Sequence, residues 1–330
     1  MSTVQNMVPA GTYVGQMLPR DVQESNEYRY SRKHIDGYIR SEVTRSPVIM
    51  AKVSEGVQLL EDWRAQTYFK TKELRVAQIR HLDLHELVLE LFVGVAYVTE
   101  PVLFTSITAQ MASRLHFDDK AHSIQTVAEM MAVLCQTDVF DIIKETRMAS
   151  LMLVSNIRLS PQLMTYIEES VYLPPMVCEP ELVATNRESA YLTHNESVIL
   201  KTYNHHDDDV SLDVINLQNQ IPLCLHEGFL RSVEEEPNKD LDVVEDTSLN
   251  EFEKAQLVRK RRDQWAKFLT QSRKIYGLMV GQGNRFFITN KVDKRGRLYA
   301  QGYHIDPQGT KYKKACLEFA DKEVVSGIPV

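Results

Sequence analysis

Hydrophobic residues between Val53 and Glu169 recur at the intervals of amphipathic helices. One stripe consists of Leu84, Leu87, Val88, Leu91, Phe92 and Val95. A second stripe consists of Ile124, Val127, Met130, Met131, Leu134 and Cys135. Residues three and four positions apart share one face of a helix, so each stripe predicts a helix that is buried along one side. The methionines of the second stripe are interpreted as core packing.

Short apolar runs and prolines mark the rest of this helical region. Ile142, Ile143 and the run Met148–Val154 predict a third helix. Pro161 fits the first turn of a further short helix, where proline costs no intrahelical hydrogen bond. The helical pattern stops before Pro174-Pro175. Residues 51–173 are therefore interpreted as a helical domain, and the polar residues 1–50 as a partly extended arm or small capping element that precedes it.

Beyond residue 173 the pattern becomes mixed. Ala190–Leu192 and Ser197–Tyr203 could pair as a hairpin. The stretch Ser232–Glu253 is acidic and contains proline and asparagine, which is typical of a surface linker. Residues 174–253 are therefore interpreted as a mixed connector with an acidic linker.

The last segment, residues 254–330, combines a basic helix with strands. The helix is predicted from about Leu249 to Tyr276. Phe286–Thr289 and Arg297–Tyr303 are rich in aromatic and β-branched residues and predict strands, with a turn at Asp306–Gly309. The fold class predicted for the whole chain is mainly α with a C-terminal α/β segment.

Charge is distributed unevenly along the chain, whose formal net charge is −7. Residues 254–314 contain 16 Lys and Arg side chains but only 3 Asp and Glu side chains, whereas the rest of the chain contains 22 basic and 42 acidic ones. A basic segment on an acidic body is typical of a protein that binds a polyanion. A solvated basic face without a ligand is the alternative.

Composition narrows the class of protein. With 43% hydrophobic and 25% charged residues, the chain resembles ordinary globular proteins. Its apolar runs are shorter than the roughly 20 residues that span a bilayer, and its first residues lack the pattern of a secretory signal. The four cysteines are scattered without metal-binding spacing, as expected for reduced thiols. These features predict a cytoplasmic protein with no membrane contact.

Three patterns resemble ligand sites but are interpreted otherwise. The run His205–Asp209 is interpreted as a solvated loop, because adjacent residues rarely converge on one ion. The alternating polar residues of His81–His85 lie beside a helical stripe and are interpreted as surface residues. Gly281–Gly283 lacks the third glycine of a dinucleotide fingerprint. No metal site is therefore predicted in this chain.

Candidate binding residues are concentrated in the run Asp293–Arg297, which predicts a tight bend between two strands. Gly296 would let another backbone approach closely. Arg295 and Arg297 offer planar, permanently charged groups that suit phosphate oxygens. Asp293 is placed to orient one of these arginines.

Further basic and aromatic residues follow the bend. They are Tyr299, Tyr303, Lys311, Tyr312, Lys313 and Lys314. Cations interleaved with aromatic rings suit a path for single-stranded or hybrid nucleic acid. On the preceding helix, secondary candidates for phosphate contact are Arg259, Lys260, Arg261 and Arg262.

This segment resembles the D-x-x-G-R motif of the single-subunit RNA polymerases of T-odd phages and mitochondria. In that family the motif reads approximately D-x-R-G-R-x-Y and is followed by N-P-Q-G and a lysine. The matching residues here are Asp293, Arg295, Gly296, Arg297, Tyr299, Asp306-Pro307-Gln308-Gly309 and Lys314. Asp306 stands where the family usually has asparagine.

Two weaker matches precede this motif in the same order as in the family. Pro175-Met176 with Pro180 resembles the P-M-x-x-x-P segment that ends the helical N-terminal domain. Asn216-Leu217-Gln218 with Pro222 resembles the helix L-N-x-L-Q-x-T-P-W-x-I-N. In this second match the tryptophan and the final asparagine are replaced by Leu223 and His226.

The resemblance implies a helical N-terminal domain of a single-subunit-type RNA polymerase that leads into the start of the palm and template-binding region. The residues implied to contact the DNA template and the RNA–DNA hybrid are Arg295, Gly296, Arg297, Tyr299 and Lys314. Asp293 would act as a structural orienter. The family's catalytic aspartates lie beyond this motif, so no catalytic residue is expected in this chain.

The resemblance further implies a phage enzyme split into two chains, as in RNA polymerase two of the phage N-four group, working in the host bacterial cytoplasm. A second subunit with palm and fingers would bind Mg²⁺. A phage single-stranded-DNA-binding protein is an additional candidate partner. Three alternatives remain open: an N-terminal fragment of a longer one-chain polymerase, a non-enzymatic nucleic-acid-binding adapter, and a helical scaffold with a basic tail.

Overall fold

The computed structural model describes residues 17–113, 119–145, 150–194, 196–201, 204–232 and 248–322. Helices make up most of its regular structure and the strands form small sheets, so the mainly α fold class is confirmed. The described residues form two compact units. The helical unit comprises Arg32–Glu168, and the C-terminal unit combines the helix before Arg32 with the residues from Glu169 onward.

The helical unit surrounds one hydrophobic core. Its helices are α2 (Arg32–Arg45), α3 (Pro47–Ala65), α4 (Lys70–Gln78), α5 (Leu84–Ala96), α6 (Phe104–Ala112), α7 (Lys120–Leu134) and, at its end, α8 (Pro161–Glu169). The first described helix of the chain, α1 (Pro19–Arg29), belongs to the other unit. Its strands are β1 (Val102–Leu103), β2 (Phe140–Glu145) and β3 (Ser150–Ser155). They form an antiparallel sheet in the order β1-β3-β2.

The two predicted stripes are confirmed as the buried faces of α5 and α7. Val88 and Phe92 in α5 and Met130 and Met131 in α7 are fully buried in the same core. Asp83 caps α5 by accepting hydrogen bonds from two backbone N–H groups of the first turn. Capping therefore explains the aspartate of the run His81–His85.

The third helix predicted from Ile142, Ile143 and Met148–Val154 is wrong, because β2 and β3 form a hairpin there. Ile142 pairs with Leu153, which is fully buried, and these positions alternate with outward-facing ones. β-Branched side chains pack well on a pleated surface, and strand pairing satisfies the backbone. Residues 146–149 lie outside the described residues.

The extended arm predicted for the first residues is wrong from Pro19 onward, where α1, α2 and the start of α3 are helical. Ile35, Ile39 and Val43 lie four positions apart on α2 and are buried in the core of the helical unit. Burial of this stripe stabilises a helix whose other residues are polar. Residues 1–16 lie outside the described residues.

The C-terminal unit has short elements around one long helix. Its helices are α1, α9 (Leu212–Asn219), α10 (Glu227–Ser232), α11 (Glu251–Gly281) and α12 (Lys311–Ala315). Its strands are β4 (Leu223–Leu225), β5 (Asn290–Val292), β6 (Leu298–Ala300) and β7 (Leu317–Phe319), which pair antiparallel as β4–β7 and β5–β6. Across the described ranges, each helix is too short or too polar to cross a bilayer.

The predicted basic helix is confirmed as α11. Asn250 and Glu253 form a capping box at its start, and Ser272, Ile275 and Met279 are buried near its end. Its final turns are thus held by the core of the C-terminal unit. Of the predicted acidic linker, residues 233–247 lie outside the described residues.

The hairpin predicted from Ala190–Leu192 and Ser197–Tyr203 is wrong over its described residues, 190–194 and 196–201, which contain no strand. Ile199 instead pairs in parallel with Val292, and Leu200 N donates to Val292 O at 2.7 Å. A pairing partner far along the sequence therefore replaces the local one.

Candidate nucleic-acid interface

The segment just before β5 is held by three other parts of the C-terminal unit. Met176 and Phe287 exchange two backbone hydrogen bonds, of 2.9 and 2.7 Å. Leu223 and Phe286 exchange another two, of 2.8 and 2.9 Å. Asn290 N donates to Asn219 Oδ1 at 2.7 Å. These hydrogen bonds join three segments into one local structure, the frame of the β5–β6 hairpin. The segments are Pro175-Met176, the α9–β4 region and the β5–β6 hairpin itself.

The predicted bend is present as the connection between β5 and β6. In the register of the two strands, Val292 pairs with Leu298. Gly296 N donates to Asp293 O at 2.9 Å, and Asp293 N donates to Arg297 O at 3.0 Å. Gly296 has φ of +79°, a conformation that residues with a Cβ rarely adopt. The glycine is therefore required by the bend itself.

The carboxylate of Asp293 stabilises the bend by accepting hydrogen bonds from other residues of the bend. Its Oδ1 accepts from Arg295 N at 2.9 Å and from Arg297 N at 3.1 Å. Its Oδ2 accepts from Arg297 Nε at 2.7 Å and lies 3.4 Å from Arg295 Nε. Partial desolvation of this carboxyl opposes ionisation, but the hydrogen bonds from the Arg297 backbone and guanidinium outweigh it and lower the pKa of Asp293. Asp293 is thus ionised at neutral pH and contacts both arginines.

Both arginines remain open to solvent while they are oriented. The side chains of Arg295 and Arg297 are 64% and 55% exposed. The Arg297 guanidinium also lies 5.7 Å from the ring centre of Tyr299. Since a guanidinium has five N–H donors, contact with one carboxylate leaves others for a phosphate oxygen. The bend therefore presents two oriented guanidinium groups to solvent, and that of Arg297 lies near the Tyr299 ring.

Gln308 fastens the following turn to β6, a role that is not among the predictions made from the sequence. Ala300 N donates to Gln308 Oε1 at 3.0 Å, and Gln308 Nε2 donates to Leu298 O at 3.2 Å. The turn is closed by a hydrogen bond from Gly309 N to Asp306 O of 3.1 Å, as predicted. An amide side chain thus pairs with the free edge of β6 as a neighbouring strand would. The available signal was the D-P-Q-G sequence itself.

Lys314 follows this turn on α12, which starts after the capping residue Thr310. Its side chain is exposed. The neighbouring Lys313 turns back instead, donating from Nζ to Tyr303 O at 2.5 Å. Lys314 therefore belongs to the same frame as the bend, through Gln308 and the turn.

The secondary candidates Arg259–Arg262 lie on the N-terminal half of α11. The residues of α11 that are buried against the core begin at Ser272, three helical turns later. Five predicted contact residues and Asp293 thus belong to one frame. The basic run of α11 lies in the half of that helix that precedes its buried residues.

The histidine and aspartate run at 205–209 forms a loop held by its own side chains. His205 Nδ1 lies 3.1 Å from Ser197 Oγ, and His205 Nε2 lies 3.0 Å from Asp207 Oδ1. Asp207 also accepts two hydrogen bonds from Arg187. Within the described part of the chain, no three His, Cys, Asp or Glu side chains converge as metal ligands would.

Comparison with protein families and with curated proteins identifies no relative of this chain. No protein-family model matches the sequence, and no curated protein is significantly similar to it. The function of this chain is therefore inferred from its residues and their geometry.

Proposed function

We propose that this chain is a subunit of a DNA-dependent RNA polymerase that contacts the DNA template and the RNA–DNA hybrid through the β5–β6 bend. It would supply the helical N-terminal domain and this contact surface, while a second polypeptide supplies palm, fingers and the catalytic aspartates. The cell compartment proposed is the cytoplasm of a bacterial host.

The observation that carries this proposal is the convergence of the segments that resemble the polymerase family. Met176, Leu223 and the D-x-x-G-R bend lie far apart in sequence, yet the backbone pairs at Phe286 and Phe287 join all three. Gln308 then adds the D-P-Q-G turn to the same frame. A set of chance matches would have no reason to build one local structure, so the convergence supports a shared role.

The chemistry of the bend suits a nucleic-acid backbone. Arg295 and Arg297 would donate N–H groups to phosphate oxygens, which form strong hydrogen bonds when both partners are charged. Asp293 keeps the guanidinium groups in place, so less side-chain entropy is lost on binding. Gly296 lets the strand approach the backbone, and Tyr299 offers a ring for a base or sugar.

Magnesium belongs to the second chain in this proposal. When bound there, Mg²⁺ would activate the 3′-hydroxyl and stabilise the leaving pyrophosphate. The residues of this chain have the separate task of positioning the template and hybrid. Correct positioning of reacting groups is itself a large part of catalysis.

Binding of the purified chain to a primed RNA–DNA hybrid tests the proposed contact, with fluorescence anisotropy as the readout. Arg297→Ala should weaken binding by about 1.5–3 kcal/mol, or roughly 10- to 150-fold, because a charge-assisted contact is lost. Affinity should fall steeply with salt, with a log–log slope of about −0.9 for each duplex phosphate contact.

Arg285→Ala is the matched control. Arg285 is 49% exposed and pairs with Asp321, so it resembles Arg297 in exposure and in having a carboxylate partner, but it lies outside the bend. It should change the affinity little. Equal losses in both variants would reduce the effect to general charge, and a flat salt response would remove the phosphate contacts altogether.

A nucleic-acid-binding adapter without enzymatic partners is the second candidate. The local excess of 16 basic over 3 acidic residues in 254–314 favours it as much as it favours a polymerase. The two candidates differ in the proteins with which the chain associates. A polymerase subunit co-purifies with nucleotide incorporation on a melted template, and an adapter does not.

A further inference from the structure

An aromatic cluster lies in the C-terminal unit between α11, the loop after β6 and the residues that follow α8. Its members are Tyr172, Trp265, Phe268, Tyr303 and His304. Tyr172 and Tyr303 remain 41% and 38% exposed.

Tyr172 and Tyr303 form a parallel stack, with ring centres 3.6 Å apart and planes 7° apart. His304 lies 4.8 Å from Tyr303 and 5.9 Å from Tyr172. The three ring centres form a triangle with nearly a right angle at Tyr303. His304 therefore lies beside the Tyr303 ring, on the same side of Tyr172 as Tyr303. The opposite face of Tyr172 is therefore covered by neither ring.

The inner members of the cluster hold this stack in place. Phe268 stacks on His304 at 5.6 Å and meets the Tyr303 ring edge-on at 5.6 Å. Ser272 Oγ lies 2.9 Å from His304 Nδ1, and Tyr276 donates to His304 O at 3.2 Å. Burial, together with the charge of Lys313, lowers the pKa of His304 to about 4, so the ring is neutral at physiological pH.

One cation contacts the aromatic cluster, and others are exposed on the two helices that pack there. The Lys313 ammonium lies 5.1 Å from the ring centre of Tyr303 and 4.8 Å from that of Phe268. Arg273 is exposed on α11, the helix that carries Trp265 and Phe268. Lys311 and Lys314 are exposed on the helix that carries Lys313. An aromatic face bordered by positive charge is complementary to a base and its phosphates.

We propose that the face of Tyr172 left uncovered by Tyr303 and His304 stacks with an unpaired base of a single-stranded nucleic acid, whose phosphates are attracted by the positive charge of Lys313 at the cluster and of the exposed Arg273 and Lys311 on the same helices. This inference rests on the proposed function and adds to it a second contact, separate from the β5–β6 bend. The occupant is a nucleobase because the free surface is a flat ring face. Its strand is single because the faces of a base within a duplex are covered by the neighbouring base pairs.

The test compares two strands of equal length bound to the full chain: oligothymidine, and an abasic strand with the same phosphates. Wild type should prefer oligothymidine by about ten-fold, the affinity expected from one stacked base. Tyr172→Leu should remove this preference and leave the affinity for the abasic strand unchanged, which also shows that the variant is folded. Tyr172→Phe keeps the ring and should keep the preference.

Tyr38→Leu is the matched control, because Tyr38 is also 41% exposed and in ring contact but belongs to the helical unit. It should leave the preference intact. Full preference in Tyr172→Leu, or equal binding of both strands by wild type, would overturn the stacking site while leaving the bend in place. Binding of neither strand by wild type would also overturn the stacking site, whereas the bend is tested separately, by binding of the RNA–DNA hybrid.

Discussion

Glu27 on α1 is a fully buried carboxylate whose hydrogen bonds join two distant parts of the C-terminal unit. Its Oε1 accepts from Gln23 Nε2 at 2.9 Å and from Leu192 N at 3.0 Å. Its Oε2 accepts from Thr193 N at 2.7 Å and Thr193 Oγ1 at 2.5 Å. Burial opposes ionisation, but these four hydrogen bonds outweigh it and lower the pKa of Glu27.

Glu27→Gln should lower the free energy of unfolding at neutral pH by about 1.5–3 kcal/mol, because charge-assisted hydrogen bonds are lost and an amide N–H₂ faces donors. A lowered folded-state pKa gives stability that is fully present above the unfolded pKa and is lost as pH falls through the folded pKa. The deficit of the variant should therefore shrink in acid. Urea unfolding at neutral and acidic pH measures it.

Glu24→Gln serves as the control for this prediction, since Glu24 lies on the same helix but is 51% exposed, with Arg20 at 3.7 Å. Its effect should be within about 0.5 kcal/mol. A deficit in Glu27→Gln that stayed constant from neutral to acidic pH would show that the carboxylate charge does not contribute.

Gly302 and Gly277 differ in what a methyl group would meet. A Cβ on Gly302 would lie 2.0 Å from Ile305 O, whereas one on Gly277 has nothing within 4 Å. Gly302→Ala should thus destabilise the loop after β6 by about 1–3 kcal/mol. Gly277→Ala, inside α11, should stabilise by up to about 1 kcal/mol. Thermal unfolding of both variants checks the pair, and a neutral Gly302→Ala would contradict the close approach.

At the scale of elements, the sequence predicts the helices with long regular stripes, and the elements that it does not predict differ in their cause. α5, α7 and α11 follow from the periodicity of their residues, and α8 from its proline. The residues of the β2–β3 hairpin predict a helix instead, because short apolar runs fit either structure. The stripe of α2 was present in the sequence and overlooked among polar residues. The contact of Ile199 with Val292 had no local signal at all.

The attachment of the Asp306–Gly309 turn to β6 depends on one side chain. Gln308→Leu should remove its hydrogen bonds with Ala300 N and Leu298 O, so the Ala300 amide should exchange with solvent about ten-fold faster or more. Hydrogen exchange followed by NMR reads this amide directly. Gln301→Leu is the control, because Gln301 Nε2 makes one longer bond of 3.3 Å to Tyr299 O. Unchanged exchange in Gln308→Leu would mean that the turn is held in another way.

At the scale of the whole molecule, the compact units do not follow the order of the sequence. α1 belongs to the C-terminal unit through Glu27 and through the amide pair of Asn26 and Gln282, 3.1 Å apart. The division at residues 50, 173 and 253 was read from local composition, which carries no information about such contacts. The candidate bend was predictable because its residues are contiguous. Its frame was not, because Met176 and Leu223 reach it by backbone pairing.

The central claim is that the bend serves template-directed RNA synthesis in an assembly with a second chain. The most direct measurement is nucleotide incorporation on a pre-formed RNA–DNA hybrid by the tagged chain, purified together with its natural partners. The wild-type assembly should extend the RNA with Mg²⁺ and four nucleotides, and the chain alone should not. Arg297→Ala should assemble normally and extend at least ten-fold more slowly. Extension at the wild-type rate by Arg297→Ala, or an assembly that incorporates nothing, would contradict the account.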